Sequence, residues 1–263
     1  LELAMRDVDY VIHAAALKQV PAAEYNPIEC INTNVIGAEN VVRASLRTNV
    51  KKVLALSTDK AANPINLYGA SKLAADKIFV AANNLSGADG ARFSVVRYGN
   101  VLGSRGSVVE LYEELLRDGA TSVPITDPRM SRFWITIDQG VDFVLSSLEA
   151  MEGGETFVPK IPSMKIVDVA EAMAPGVAHD IIGIRPGEKL HELMISADDA
   201  RFTWEFDDRY IIAPPFHVDG APGKSIGQGR SVDERFQYSS DDNSEWLTPE
   251  GLRQLLAATA SAI

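Results

Sequence analysis

Three apolar runs of strand length, residues 8 to 12, 52 to 56 and 93 to 97, alternate with two longer stretches of helical periodicity, about Asn34 to Asn49 and Tyr68 to Asn84. This alternation narrows the fold more than any other feature of the chain. Strands separated by a helix-length segment cannot pair as a hairpin; the connection crosses over and leaves them parallel in one sheet with helices on its faces. The expectation is an α/β protein with a doubly wound parallel sheet. Beyond Gly103 the texture changes. Ser104 to Gly119 reads as an amphipathic helix, Asp138 as the N-cap of a helix running to Met151, and Ile166 to Met173 as a shorter helix. Residues 216 to 244, rich in Gly, Ser, Asp and Pro, read as a loose arm ahead of Thr248-Pro249, an N-cap and first-turn proline that open a final helix. Three parts are expected: 1 to 103, 104 to 215 and 216 to 263.

Residues 57 to 72, STDKAANPINLYGASK, follow the second apolar run and hold five reactive side chains within sixteen residues. Tyr68 and Lys72 stand four apart, so on a helix they share one face, and an ammonium beside a phenol favours the phenolate. Thr58-Asp59-Lys60 leaves the carboxyl end of a strand, where parallel sheets hold their ligands. An acid and a base are thus expected to face one crevice. A Tyr-x-x-x-Lys spacing alone recurs in helices by chance. Its weight comes from the joint pattern with the preceding strand, the Pro64 loop and the strand Phe93 to Arg97 running into Tyr98-Gly99-Asn100.

Composition restricts the ligands. A chain of 263 residues with 46% hydrophobic and 23% charged content has an ordinary globular core. Its formal net charge of -11 argues against nucleic acid or an anionic membrane as the main partner, so an anionic ligand has to be met by local cations. The single Cys30 cannot form an intrachain disulfide and reads as a small buried hydrophobe, which fits a reducing cytoplasm. No apolar run approaches the ~20 residues of a membrane span, and no signal peptide opens the chain. His13, His179, His191 and His217 lack metal-ligand spacing, so no metal site is expected. Gly223-Lys224-Ser225 lacks the glycine five positions earlier that a phosphate-binding loop requires, because Val218 stands there. The aromatic residues from Phe133 to Phe143 read as core packing, and Asp198-Asp199 as a solvated face.

Taken together, the segment from Ser57 to Lys72 and the strand after it resemble the extended short-chain dehydrogenase/reductase family. Thr58-Asp59-Lys60, in place of Thr-Asp-Glu, resembles its inverting UDP-N-acetylglucosamine 4,6-dehydratases. HAAALKQVPAAEYNP from His13, PITDPRMSRFWIT from Pro124 and GIRPGEKLHE from Gly183 fit the same group, so the likeness covers roughly residues 5 to 215. By that likeness the strand ending at Ile12 is the fourth of a Rossmann-type sheet, and neither GxGxxG nor GxxGxxG occurs; Gly99, Gly103 and Gly106 are wrongly spaced for it. The expectation is an N-terminally incomplete member, short by something on the order of 70 residues at ~30 per βαβ unit. Its parts would be the remaining half of the Rossmann domain (1 to 103), a smaller α/β sugar-nucleotide region (104 to 215) and a C-terminal arm and helix. An open sheet edge at Val8 to Ile12 and weak dinucleotide binding by this chain alone would follow.

The resemblance also implies roles. Tyr68, supported by Lys72, would take the proton of the sugar 4-hydroxyl; Lys60 as base and Asp59 as acid would eliminate water across C5 and C6, with Thr58 orienting the substrate. The cofactor would be NADP, or NAD, lined by His13, Ala14, Ala15, Ala16, Lys18, Ser57, Tyr68 and Lys72, with Lys18 also near the acetamido sugar. Asn100, Arg105, Arg132 and Arg185 would be donors to the diphosphate of a UDP-N-acetylhexosamine, and Glu188 would accept from its ribose. The product would be a UDP-2-acetamido-2,6-dideoxy-4-keto-hexose of inverted C5 configuration, for bacterial surface-glycan or flagellin-glycan synthesis of the pseudaminic-acid type. A cytoplasmic homo-oligomer is expected, with a membrane anchor upstream of Leu1 compatible with the likeness. Its helix-bundle dimer would use Asn34 to Asn49 and Tyr68 to Asn84, whose apolar positions Val41, Val42, Leu46, Leu73, Ile78, Phe79 and Val80 exceed one sheet-facing stripe. Two alternatives stand beside this. A UDP-sugar 4-epimerase would use Tyr68 and Lys72 without needing Thr58-Asp59-Lys60, and a non-catalytic nucleotide-binding protein would need neither.

Overall fold

The computed structural model of the chain describes residues 1–87, 89–214 and 226–260. Its strands are β1 Tyr10–His13, β2 Lys52–Thr58, β3 Arg92–Tyr98, β4 Asn100–Val101, β5 Ser122–Ile125, β6 Ser131–Ile135, β7 Thr156–Pro159, β8 Ser163–Lys165, β9 Ala178–Ile181, β10 Leu193–Ile195, β11 Thr203–Glu205, β12 Arg209–Ile212, β13 Arg230–Ser231 and β14 Tyr238–Ser239. Its helices are α1 Val20–Tyr25, α2 Pro27–Ile31, α3 Gly37–Leu46, α4 Leu67–Ser86, α5 Val108–Arg117, α6 Ile137–Ala150, α7 Ile166–Met173, α8 Ala197–Ala200 and α9 Pro249–Ala260. A π-helical turn at Asn32–Ile36 joins α2 to α3, and a 3-10 turn at Asp59–Ala61 follows β2. Two compact units divide the chain: Leu1–Tyr98, Asp142–Lys160 and Met194–Gln237 form the first, and Gly99–Val141, Ile161–Leu193 and Tyr238–Ile263 the second. The units interleave along the sequence.

The first unit is built on a sheet in the order β1-β2-β3-β7-β12-β11-β13. The first four strands are parallel, and β12, β11 and β13 extend the sheet antiparallel. Successive side chains on a strand point to opposite faces. Val53, Ala55, Phe93 and Val95 accordingly pack with Ala38, Val41, Val42 and Phe79 of α3 and α4, while Leu54, Val96 and Phe157 pack with Phe143 and Val144 of α6. Helices cover both faces, so the doubly wound α/β reading holds. The antiparallel extension was not legible because its strands are only two to four residues long and carry no sustained apolar run. In the second unit β6 pairs parallel with β4 and antiparallel with β8, β5 pairs with β9, and Trp134, Tyr112, Met164, Val169 and Leu252 lie in one core.

Several local expectations change. The strand at 8 to 12 reads as an apolar run with an open edge, and β1 indeed leaves Tyr10 56% and Ile12 44% exposed, since among the described residues it pairs with β2 alone. Helical structure begins at Pro27, ahead of Asn34, because Asn26 caps it by accepting from Glu29 N at 3.4 Å. Asp138 is not the cap of α6. Thr136 is: its hydroxyl accepts from Gln139 N at 3.2 Å while Gln139 Oε1 accepts from Thr136 N at 3.0 Å, a reciprocal capping pair. Val41, Val42 and Phe79, expected partly on a dimer face, belong to the sheet-facing core, and the exposed apolar residues of the 27–46 helical run are Ile28, Ile31, Ile36 and Leu46. The Gly223-Lys224-Ser225 stretch and His217 lie outside the described residues.

Candidate active site

The site of the first unit is assembled where β2 ends. Its register with β3 runs to Thr58↔Tyr98, after which the 3-10 turn carries Asp59 and Lys60 out of the sheet. Asn66 then caps α4, accepting from Gly69 N at 2.7 Å, and the helix starts in time to present Tyr68 and Lys72. Gly69 permits this approach: a Cβ there would stand 2.3 Å from Lys60 O. The turn bearing Lys60 therefore lies directly on the first turn of α4.

Asp59 is fully buried. Its Oδ1 accepts from Thr58 Oγ1 at 2.9 Å and from Lys60 Nζ at 3.0 Å, while Oδ2 has no hydrogen-bond partner among the described residues. Burial pushes the Tyr68 phenol up to about 12; Lys60 opposes that shift, Asp59 adds to it, and a hydrogen bond with Thr58 lowers it. Lys60, brought up from the adjoining 3-10 turn, is a cation that favours the phenolate. Lys72 Nζ donates to Leu56 O at 2.7 Å. Burial lowers its pKa and the charge of Asp76 raises it. His13, at the end of β1, is held at about 4 by burial and by the Lys72 charge, so it is neutral at neutral pH.

Of the other expected cofactor residues, Ser57 donates its hydroxyl to Asp76 Oδ2 at 2.8 Å, and Ala14, Ala15, Ala16 and Lys18 are exposed in the segment after β1. That segment is pinned by Asn34, which the sequence reading did not single out. Asn34 accepts from Leu17 N at 2.8 Å and donates to Leu17 O at 3.0 Å and to Ser71 Oγ at 2.9 Å. Ser71 in turn donates to Tyr68 O at 2.8 Å. The available signal was a polar residue inside a helical run; the π-helical turn is what directs it inward. Asp76 was missed as well, although it lies one turn beyond Lys72.

In the second unit, Arg132 was expected to be a phosphate donor, but its guanidinium is buried and committed to carbonyls: Nη1 donates to Ser131 O at 2.6 Å and Leu190 O at 3.1 Å, and Nη2 to Lys189 O at 2.9 Å. Arg185 pairs with Glu188 and keeps its side chain 65% exposed. Arg105 is exposed in the turn before α5, and Asn100 begins β4. No group of His, Cys, Asp and Glu among the described residues suits a metal ion. No described helix is long and apolar enough to cross a membrane.

Comparison with known proteins decides the family. The polysaccharide biosynthesis protein family matches residues 1–214. The chain belongs to that family. Within it, the UDP-N-acetylglucosamine 4,6-dehydratase (inverting) of Campylobacter jejuni subsp. jejuni serotype O:23/36 (strain 81-176) is 57% identical over 264 residues, covering 98% of this chain and 79% of its own length. The likeness drawn from Thr58-Asp59-Lys60 is therefore borne out. A UDP-glucose 4-epimerase of Rickettsia akari (strain Hartford) is 44% identical over 260 residues, covering 97% of this chain and 76% of its own length. Among solved structures, Pen from Bacillus thuringiensis superposes with a TM-score of 0.85 at 34% identity over 98% of this chain and 78% of that one.

Proposed function

We propose that this protein is a C5-inverting UDP-N-acetylglucosamine 4,6-dehydratase, a hydro-lyase of polysaccharide biosynthesis. The observation that carries the reading is the buried Asp59, bridged to Lys60 and Thr58 within reach of Tyr68. An epimerase needs only Tyr68 and Lys72. A carboxylate and an ammonium added at the strand end supply the acid and base that an elimination requires.

A nicotinamide fits the donors present: among the described residues the buried Lys72 ammonium donates to Leu56 O, which leaves protons for a ribose diol, and a neutral His13 closes β1 beside it. Held by these residues, a nicotinamide would supply the hydride chemistry, from C4 of the sugar and back to C6. Tyr68, reacting as the phenolate that the Lys60 charge favours, takes the 4-hydroxyl proton as C4 becomes a ketone, and that ketone acidifies the C5 hydrogen. With the proton of their ion pair passed from Lys60 Nζ to Asp59, the Lys60 amine removes the C5 proton and the Asp59 carboxyl protonates the C6 hydroxyl, which departs as water. Reprotonation of C5 from the opposite face sets the inverted configuration. Thr58, bonded to both Asp59 and Tyr68, aligns the reacting hydroxyls.

The finer assignments belong to the same proposal: NADP in preference to NAD, with Ala14, Ala15, Ala16 and Lys18 along the dinucleotide, and Asn100, Arg105 and Arg185 on the diphosphate with Glu188 on the ribose. Arg132 serves indirectly, by holding the Lys189–Leu190 backbone. A cytoplasmic homo-oligomer, joined through the helices that expose Ile28, Ile31 and Ile36, completes the reading. Proton NMR of the product formed from UDP-N-acetylglucosamine tests it. A new C6 methyl signal without net cofactor consumption is expected, and UDP-N-acetylgalactosamine in its place assigns the chain to the epimerases.

A further inference from the structure

A file of alternating charges adjoins the Tyr68–Lys72 face, and the chemistry above uses only its first member. Lys72 is followed one helical turn later by Asp76, then by Arg97 on β3 and Asp199 on α8, all within the first unit. Asp76 Oδ2 accepts from Ser57 Oγ at 2.8 Å and from Arg97 Nη2 at 3.5 Å. Arg97 Nη1 donates to Met194 O at 2.8 Å and lies 3.9 Å from Asp199 Oδ2. Lys72, Asp76 and Arg97 are each 5% exposed or less, so water screens them little. Asp199, read from the sequence as solvated surface, also completes the capping box of α8, its Oδ2 accepting from the N-cap Ser196.

Such a file needs a reason, because burying charges is costly even when they are paired. Burial drives Lys72 to lose its proton and Asp76 to gain one. A guanidinium does not deprotonate, so Arg97 favours the ionised Asp76, and ionised Asp76 favours the ammonium of Lys72. Around Lys72 the titratable groups are His13 on β1, Tyr68 in the preceding turn and Asp76 in the next, while Asp59 and Lys60 act on Tyr68. With His13 and Tyr68 neutral at neutral pH, Asp76 is the anion that acts on Lys72 among the described residues.

We propose that Asp76 is a positioning residue: held ionised by Ser57 and Arg97, it keeps the buried Lys72 charged and aimed, so that Lys72 can donate to the ribose of a nicotinamide nucleotide. The second half of this statement rests on the role given to Lys72 above; the first half does not.

The two halves separate experimentally. Cofactor-free protein labelled with 13Cε-lysine, with Lys72→Met identifying the signal, reports the titration of Lys72 directly. Asp76→Asn is expected to lower the Lys72 midpoint by roughly one to two pH units, the reach of one close opposite charge. Asp76→Glu displaces the carboxylate from Ser57 and Arg97 by one methylene and is expected to fall between that value and wild type. A wild-type midpoint in either variant overturns the proposal, and Asp76→Glu still decides should Asp76→Asn fail to fold. Calorimetry with NADP then tests the dependence on Lys72: loss of binding at alkaline pH is expected to begin at lower pH in Asp76→Asn. Wild-type affinity in Lys72→Met would remove the ribose role of Lys72 and leave the titration result to judge Asp76.

Discussion

Replacing Gly69 by alanine separates stability from catalysis more sharply than any substitution of a reactive group. The new Cβ would stand 2.3 Å from Lys60 O and 3.1 Å from both Lys60 C and Pro64 Cβ, where ordinary contact begins near 3.4 Å. These neighbours are backbone and a proline ring, so the 3-10 turn and the first turn of α4 have to part by roughly 1 Å. Overpacking of this kind costs ~1–3 kcal/mol. Alanine returns up to ~1 kcal/mol of helix propensity over glycine, which leaves a net loss of about 0–2 kcal/mol, or up to about 8 °C in Tm. The catalytic effect is larger, because the displaced turn carries Asp59 and Lys60 relative to Tyr68, and a misplacement of ~1 Å costs on the order of 10²-fold in rate. Steady-state kcat for release of the 4-keto sugar, measured beside a melting curve, is the assay. A kcat within a few-fold of wild type would show that the contact between turn and helix does not set the geometry of the reaction.

Lys60→Met should abolish elimination while sparing nucleotide binding, since Lys60 meets Asp59 and Tyr68 rather than a phosphate; near-normal turnover would remove it as the base. His13 gives a pH signature. Its folded pKa of about 4 lies below the ordinary imidazole value of 6.5, so the unfolded chain binds more protons between those values and His13 withdraws stability as pH falls from about 6.5 towards 4. Urea titrations of His13→Asn should show a smaller loss than wild type between pH 7 and pH 4.5, and parallel curves would refute the burial of a neutral imidazole. Light scattering at tens of micromolar should give more than the monomer mass of 28.5 kDa, and Ile31→Asp should reduce it; a strictly monomeric wild type removes the oligomer.

Much of this protein is written locally. Strand and helix alternation, the i, i+4 placement of Tyr68 and Lys72 and the position of Thr58-Asp59-Lys60 at a strand end depend on residues within a few positions of one another, and backbone periodicity exposes them. The tertiary structure decided what is joined across long separations. Asn34 reaches Leu17 and Ser71, 17 and 37 residues away, and Asp76 reaches Arg97, 21 residues away. Arg132 is used up on carbonyls 57 and 58 residues further on. None of these pairings has a periodic signal, because each is selected by which buried polar groups happen to be left facing one another once the sheet and its helices have packed. The same reason explains the titration of Tyr68. Spacing along the helix named Lys72 as its partner, while packing sets Lys72 Nζ on Leu56 O and brings the Lys60 charge to bear on the buried phenol from the adjoining turn.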